Sequence, residues 1–129
     1  MFATFIDKYN PAVIIKFSNK CGYLEQDFFD NYLKDFRALY ERQENFNILI
    51  DGRDVENFPI SYAMQHATFL IKHKSLTKQY IKKSAIILSN STMESIINVV
   101  LSMYKPESDL IVTRNFREGL MHVLDTKIE

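Results

Sequence analysis

Apolar positions along the chain switch between two spacings, and the switches mark the elements. Phe2 to Tyr9 and Ala12 to Ser18 are β-rich runs separated by Asn10-Pro11, a turn pair whose proline cannot continue a ladder. They predict an opening antiparallel hairpin. After the break at Asn19-Lys20-Cys21-Gly22, apolar side chains fall at Phe29, Tyr32, Leu33, Phe36, Leu39 and Tyr40, the spacing of a helix with one buried stripe. The pattern predicts a helix over Glu25 to Arg42, with Glu25, Asp27 and Asp30 at its start and arginines later, as the helix dipole favours.

From Asn47 onward a strand-helix rhythm fills the chain. Asn47 to Asp51 carries Ile48-Leu49-Ile50 without alternation, which predicts a central strand buried on both faces. Asp51-Gly52-Arg53-Asp54 is expected to leave that strand, with Asn57 or Ser61 capping a second helix that turns Tyr62, Ala63, Ala67, Leu70 and Ile71 inward and ends near His73. Lys74 to Lys83 reads as a basic connection with a helical turn around Leu76 to Tyr80. Ser84 to Leu88 is the next buried strand, and Ser91-Thr92-Met93-Glu94 has capping-box spacing before a helix bearing Met93, Ile96, Ile97, Val100, Leu101 and Tyr104. That helix stops before Pro106. Leu110 to Thr113 predicts a further buried strand. Asn115 with Glu118 starts a last helix whose inner face is Phe116, Leu120, Val123 and Leu124.

The order is β-β-α-β-α-β-α-β-α, an α/β fold with a mixed sheet, parallel central strands and packed helices. Strand-helix-strand units of this length make right-handed crossovers between parallel neighbours. At 129 residues the chain is expected to be one domain over 1–129, with one core.

Composition narrows the functions. Cys21 is the single cysteine, so no internal disulfide forms and no cysteine cluster binds zinc or iron-sulfur. A reducing, cytoplasmic setting is the expectation, with no stable membrane insertion, because no apolar stretch approaches the roughly 20 residues a bilayer span needs. Three glycines and the absence of G-x-G-x-x-G or G-x-x-x-x-G-K-[ST] leave no backbone cradle for phosphates. Formal net charge is zero, yet Glu25 to Glu56 holds nine acids against four bases, and Lys72, Lys74, Lys78, Lys82 and Lys83 follow before the next acid, Glu94. The plain reading is two solvated surfaces; the other is attraction between copies or steering of a charged partner. Few arginines and no glycine-aromatic platform argue against nucleic acid.

The strand ending Ile50-Asp51-Gly52-Arg53-Asp54-Val55, the strand Ala85-Ile86-Ile87-Leu88 and the closing Ile111-Val112-Thr113-Arg114 before a glutamate-containing helix resemble a STAS domain. More narrowly, the chain is similar to the SpoIIAA-like proteins of the STAS and SEC14 superfamily, from about Phe2 to Leu124. The resemblance implies a non-enzymatic regulator acting through protein-protein or self association, including homodimers, without a cofactor. Antagonists of anti-sigma factors in that family bind a protein kinase and are switched by phosphorylation of a serine at a helix start. Here the matching stretch, Asn57-Phe58-Pro59-Ile60-Ser61-Tyr62-Ala63, lacks the family's acidic residue and glycine, and Ser61 is its hydroxyl residue. SEC14 relatives make a small apolar or anionic ligand, a lipid or nucleotide, the alternative.

Among candidate sites, Asp51, Arg53, Asp54 and Glu56 crowd the carboxyl end of a central strand, where open α/β sheets place ligands. A salt bridge of Arg53 is the simpler reading. Lys72 and Lys74 are candidates for an anionic ligand or partner. Ser61 reads first as a helix cap, and as a phosphate acceptor second. His66 and His73 lie too far apart for one metal, and no metal site is expected. Cys21 reads as a quiet thiol. Ser89, Ser91 and Ser95 fit strand exit, capping and a helix surface, with no nucleophile motif. Phe28, Phe29, Tyr32, Phe36 and Tyr40 form an aromatic stripe read as core, with a dimer face or apolar pocket as the remainder.

Overall fold

The consecutive residues Ala12, Val13, Ile14 and Ile15 are all buried. Successive strand side chains point to opposite faces, so this segment requires cover on both sides. The computed structural model, which describes residues 2–19, 25–55, 58–106 and 108–124, supplies it. Its elements are β1 (Ala3–Tyr9), β2 (Ala12–Asn19), α1 (Gln26–Tyr40), β3 (Phe46–Val55), α2 (Ile60–Lys72), α3 (Lys74–Tyr80), β4 (Ile81–Ile87), α4 (Ser91–Met103), β5 (Asp109–Thr113) and α5 (Phe116–Leu124).

The five strands lie in chain order, β1-β2-β3-β4-β5. β1 and β2 form the antiparallel hairpin, and the other neighbours are parallel. The chain is therefore α/β with a mixed sheet. One departure from the expected order is α3, which occupies most of the basic connection as a seven-residue helix.

Sequential parallel strands joined by right-handed crossovers place every crossover helix on one face. That face holds the larger core, where Val13, Ile15, Phe17 and Ile48 meet Phe29, Phe36, Ala63 and Ile96. Among the described residues α5 alone covers the other face, with Val123 against Ala12, Ile14, Leu49, Ala85 and Ile87. Buried Asn47 pins α5 there: its Nδ2 donates to the Val123 carbonyl at 2.6 Å and its Oδ1 accepts from the Lys83 amide at 3.0 Å. Both hydrogen-bonding ends of a buried amide are thereby used.

Several expectations are corrected. β3 does not end at Asp51 but runs to Val55, with its register against β2 shifting between Lys16 and Ser18. The shift lets charged residues stay in the ladder while reaching solvent at its end. Ile71 is not inward but exposed, because it lies off the stripe of Tyr62, Ala63 and Ala67. The N-cap of α4 is Asn90, whose Oδ1 accepts from the Met93 amide at 2.8 Å, so Ser91 is the first helical residue rather than the cap. The N-cap of α2 is Pro59, not Ser61; the fixed φ of proline suits that extended position. β5 is a half-buried edge strand rather than a fully buried one. Asn115 does start α5, accepting from the Glu118 amide at 3.0 Å. Cys21, Glu56 and Asn57 lie outside the described residues.

Candidate functional site

At the carboxyl end of β3, Asp51 and Arg53 are two residues apart and so share a sheet face. Arg53 grips the Asp51 carboxylate three times: the backbone amide at 3.1 Å, Nε at 2.9 Å and Nη2 at 2.9 Å. The guanidinium lies over the Phe116 ring, 4.3 Å from its centroid, so α5 holds the outer side of the pair. Burial alone would raise the Asp51 pKa. The hydrogen bonds from Arg53 and the charges of Arg53 and Lys16 outweigh it and hold the carboxyl below its ordinary value. The same hydrogen bonding raises Arg53, against the opposing effect of its own burial. Asp54 meets Lys16 at 3.5 Å on a more exposed edge. A carboxylate that is ionised at neutral pH and already accepting three N–H bonds is a poor proton carrier, since a general base works best with a pKa near the operating pH.

Lys72 and Lys74 lie far from that cluster. Helices between parallel strands run back along the sheet, so Lys72 and Lys74 precede the Phe46–Ile81 pairing, whereas Asp51 pairs with Ile87 at the opposite end. Both lysines are exposed. Ser61 is also exposed, in the first turn of α2. The sequence-selected candidates thus form an ion pair, a basic corner and an isolated hydroxyl rather than one site.

What the sequence did not reveal is a cavity of about 130 Å³ beneath α2 and α4, lined by Ile50, Gly52, Ser84, Ile86, Ile97 and Val100 among others. Gly52 is its one legible trace, since a glycine within a strand often marks a close approach. A Cβ at Gly52 would press to 3.1 Å from the Ile87 carbonyl oxygen and 3.9 Å from Met93 Cε. The polar groups on the lining are largely spent on one another or on the wall: Ser84 and Ser108 hydroxyls lie 2.9 Å apart, Thr77 bonds Tyr40, and His66 Nε2 is 2.7 Å from the Tyr32 hydroxyl.

His66 joins the cavity to an aromatic cluster formed with Phe29, Tyr32 and Phe36. Burial drives its pKa down to about 4, so the ring is neutral at physiological pH. Burial, with the nearby Tyr40, raises Tyr32 well above the ordinary phenol value. Burial raises Tyr40 to about 12, partly offset by the Thr77 hydrogen bond. These groups do not titrate near neutrality, and their rings serve packing: Tyr32 meets Phe17 at 5.0 Å and His66 at 5.5 Å, and Tyr40 meets Phe36 at 5.9 Å. Phe28, by contrast, is exposed.

Among the described residues no group of three or more His, Cys, Asp or Glu side chains is arranged to hold a metal ion, and no helix is long and apolar enough to cross a membrane. His122 instead bonds the Asp109 carbonyl at 2.9 Å and His73 the Phe69 carbonyl at 2.9 Å. A scan against protein-family models and a search of curated proteins each find no match to this chain.

Proposed function

We propose that the chain is a non-catalytic binding module of the STAS type, acting by association with another protein or with a second copy of itself. The observation that carries this reading is the outer surface of α2 and α4. Ile60, Met64 and Ile71 on α2 and Val99 and Met103 on α4 are exposed, five of the nine large apolar side chains exposed among the described residues. The two helices pack against each other, so their outer sides form one face. Clustered apolar surface of this kind marks interaction sites, and methionine adapts its shape to a partner.

Lys72 and Lys74 flank this face at one end, where they favour an acidic rim on whatever binds. Ser61 lies beside Ile60 at the other end. A phosphate there would place close to two negative charges against an apolar contact, which weakens association. The Asp51–Arg53 pair is in keeping with the same reading: it is an ion pair in a strand ending whose carboxylate already accepts three N–H bonds from Arg53.

Native mass spectrometry of the protein purified from its own source tests the proposal. The expected result is a multiple of the chain mass or a complex with a partner. The Met64→Asp, Val99→Asp double variant is expected to return a free monomer with an unchanged melting temperature, and Ser61→Asp to weaken the assembly. A wild-type monomer without partner, or an assembly indifferent to the double variant, overturns the reading.

A further inference from the structure

The central strands are filled on one side and hollow on the other. Leu49, Ala85 and Ile87 on the α5 side have no exposed surface. Their chain neighbours Ile50 and Ile86, paired with each other and roofed by α2 and α4, are only half-buried. The space above them comes from short side chains: Ala63 and Ser84 contribute to the cavity walls where larger residues would close it.

From this geometry we infer that the cavity binds a slim alkyl chain. The void of about 130 Å³ is close to the size of an engineered apolar cavity of about 150 Å³ that stays dry and binds benzene, which sets the enclosed portion at about six to eight carbon atoms. Its form favours a chain over a ring. The lining runs from Ser84 in β4 to Leu88 just past its end, four residue steps or roughly 13 Å along a strand. At one end stand the buried Phe58, Leu88 and Met93. At the other the lining residues Leu101, Pro106 and Leu110 are half-buried, so the opening lies where α4 gives way to β5.

The chemistry of the walls selects the ligand further. Ser84 with Ser108, Thr77 with Tyr40 and His66 with Tyr32 bond one another, and the Tyr104 hydroxyl is the further polar side-chain group on the lining, so a bound water has few partners there. Among the described residues no charged side chain lines the cavity. A phosphate or carboxylate head therefore stays outside the opening, and a nucleotide does not fit this space. An alkyl chain gives the lining atoms the dispersion contacts that an empty void withholds. The chain can belong to a free neutral molecule or to the tail of a lipid whose head remains in solvent. This inference stands apart from the partner-binding proposal, because a monomer without partners leaves it intact.

Titration of the methyl-labelled protein with 1-octanol, followed by NMR, tests it. The δ-methyl signals of Ile50, Ile86 and Ile97 are expected to shift and saturate, while those of Ile14 on the α5 side and Ile71 on the surface stay fixed. The Ile97→Phe variant fills the cavity and is expected to weaken binding roughly tenfold or more without lowering the melting temperature; Val100→Phe serves if that variant does not fold. A parallel titration with decanoate separates the sources. Saturable shifts at the same methyls support lipid tails as ligands, and a response to octanol alone supports neutral molecules. No saturable shift at the cavity methyls up to the solubility limit, shifts confined to Ile71 and Met64, or undiminished binding in the filled variants overturns the inference.

Discussion

The two faces of the sheet are packed to different standards. On the side covered by one nine-residue helix, Leu49, Ala85 and Ile87 are sealed, and Gly119 sits so close that an added Cβ would run into the Ile87 δ-methyl. On the side covered by α1 to α4, aromatic rings interlock around Phe29, Tyr32 and Phe36, yet a cavity persists a few residues away. The number of covering helices does not set the density. The small residue Gly119 lets a helix approach and close a layer, whereas the short side chains of Ala63 and Ser84 leave space that the neighbouring residues do not fill. Tightness thus belongs to particular residues, and slack on a central strand pair is a local property that ligand binding can use.

The contrast can be broken first inside the dense part of the wide face. Phe29→Ala removes a fully buried ring that contacts Phe2, Tyr32, Phe58, Tyr62 and His66, and is expected to cost about 3–5 kcal/mol in chemical denaturation. A loss below about 1 kcal/mol would mean that the aromatic cluster is as loose as the cavity.

His66 sharpens the boundary between cluster and cavity. Its folded pKa of about 4 lies below the ordinary value of about 6.5, so between those values the unfolded chain takes up a proton that the folded chain refuses. Stability is unaffected above pH 6.5, falls as pH drops through this window, and loses about 3 kcal/mol by its lower end. His66→Gln is expected to flatten that slope in denaturation curves between pH 7 and 4. An unchanged slope would show that the imidazole is hydrated through the cavity.

Adding volume to each face compares them directly. Gly119→Val is expected to cost about 1–3 kcal/mol through overpacking, whereas Ile97→Phe enters existing space and is expected to leave the melting temperature unchanged or higher. Equal losses would abolish the distinction. The smallest effect concerns the cap of the cavity's roof: Asn90→Ala should cost about 1 kcal/mol and Ser91→Ala close to nothing, measured by thermal unfolding.

Spacing in the sequence was enough for the hairpin, for α1, and for the parallel order of β3, β4 and β5, because each rests on a local period that tertiary contacts reinforce. A salt bridge of Arg53 was legible from the acids crowded around it, but its partner was not: Asp51 takes that place because Arg53 stays in β3, two residues on and on the same face. Ends were harder to read. Arg53 and Asp54 look like a turn by composition, but the register shift keeps them in β3. Asn90 and Ser91 are both good caps, and only the backbone conformation at Asn90 decides between them. Ile71 is apolar, yet it lies off the buried stripe of Tyr62, Ala63 and Ala67 and is exposed. The cavity was invisible because it is defined by Ile50, Ile86 and Ile97, residues far apart in the chain that meet around a space rather than a contact.

The position of α5 has a consequence for the growing polypeptide. Because the strands are laid down in spatial order, each can join its predecessor as it leaves the ribosome, and the wide face can close behind it. The opposite face cannot. Among the described residues, only Phe116–Leu124 supplies the helix that covers Ala12, Ile14, Leu49, Ala85 and Ile87, and it is made last. Nascent chains stalled before that helix would carry a greasy sheet surface, a natural substrate for chaperones and a seed for aggregation.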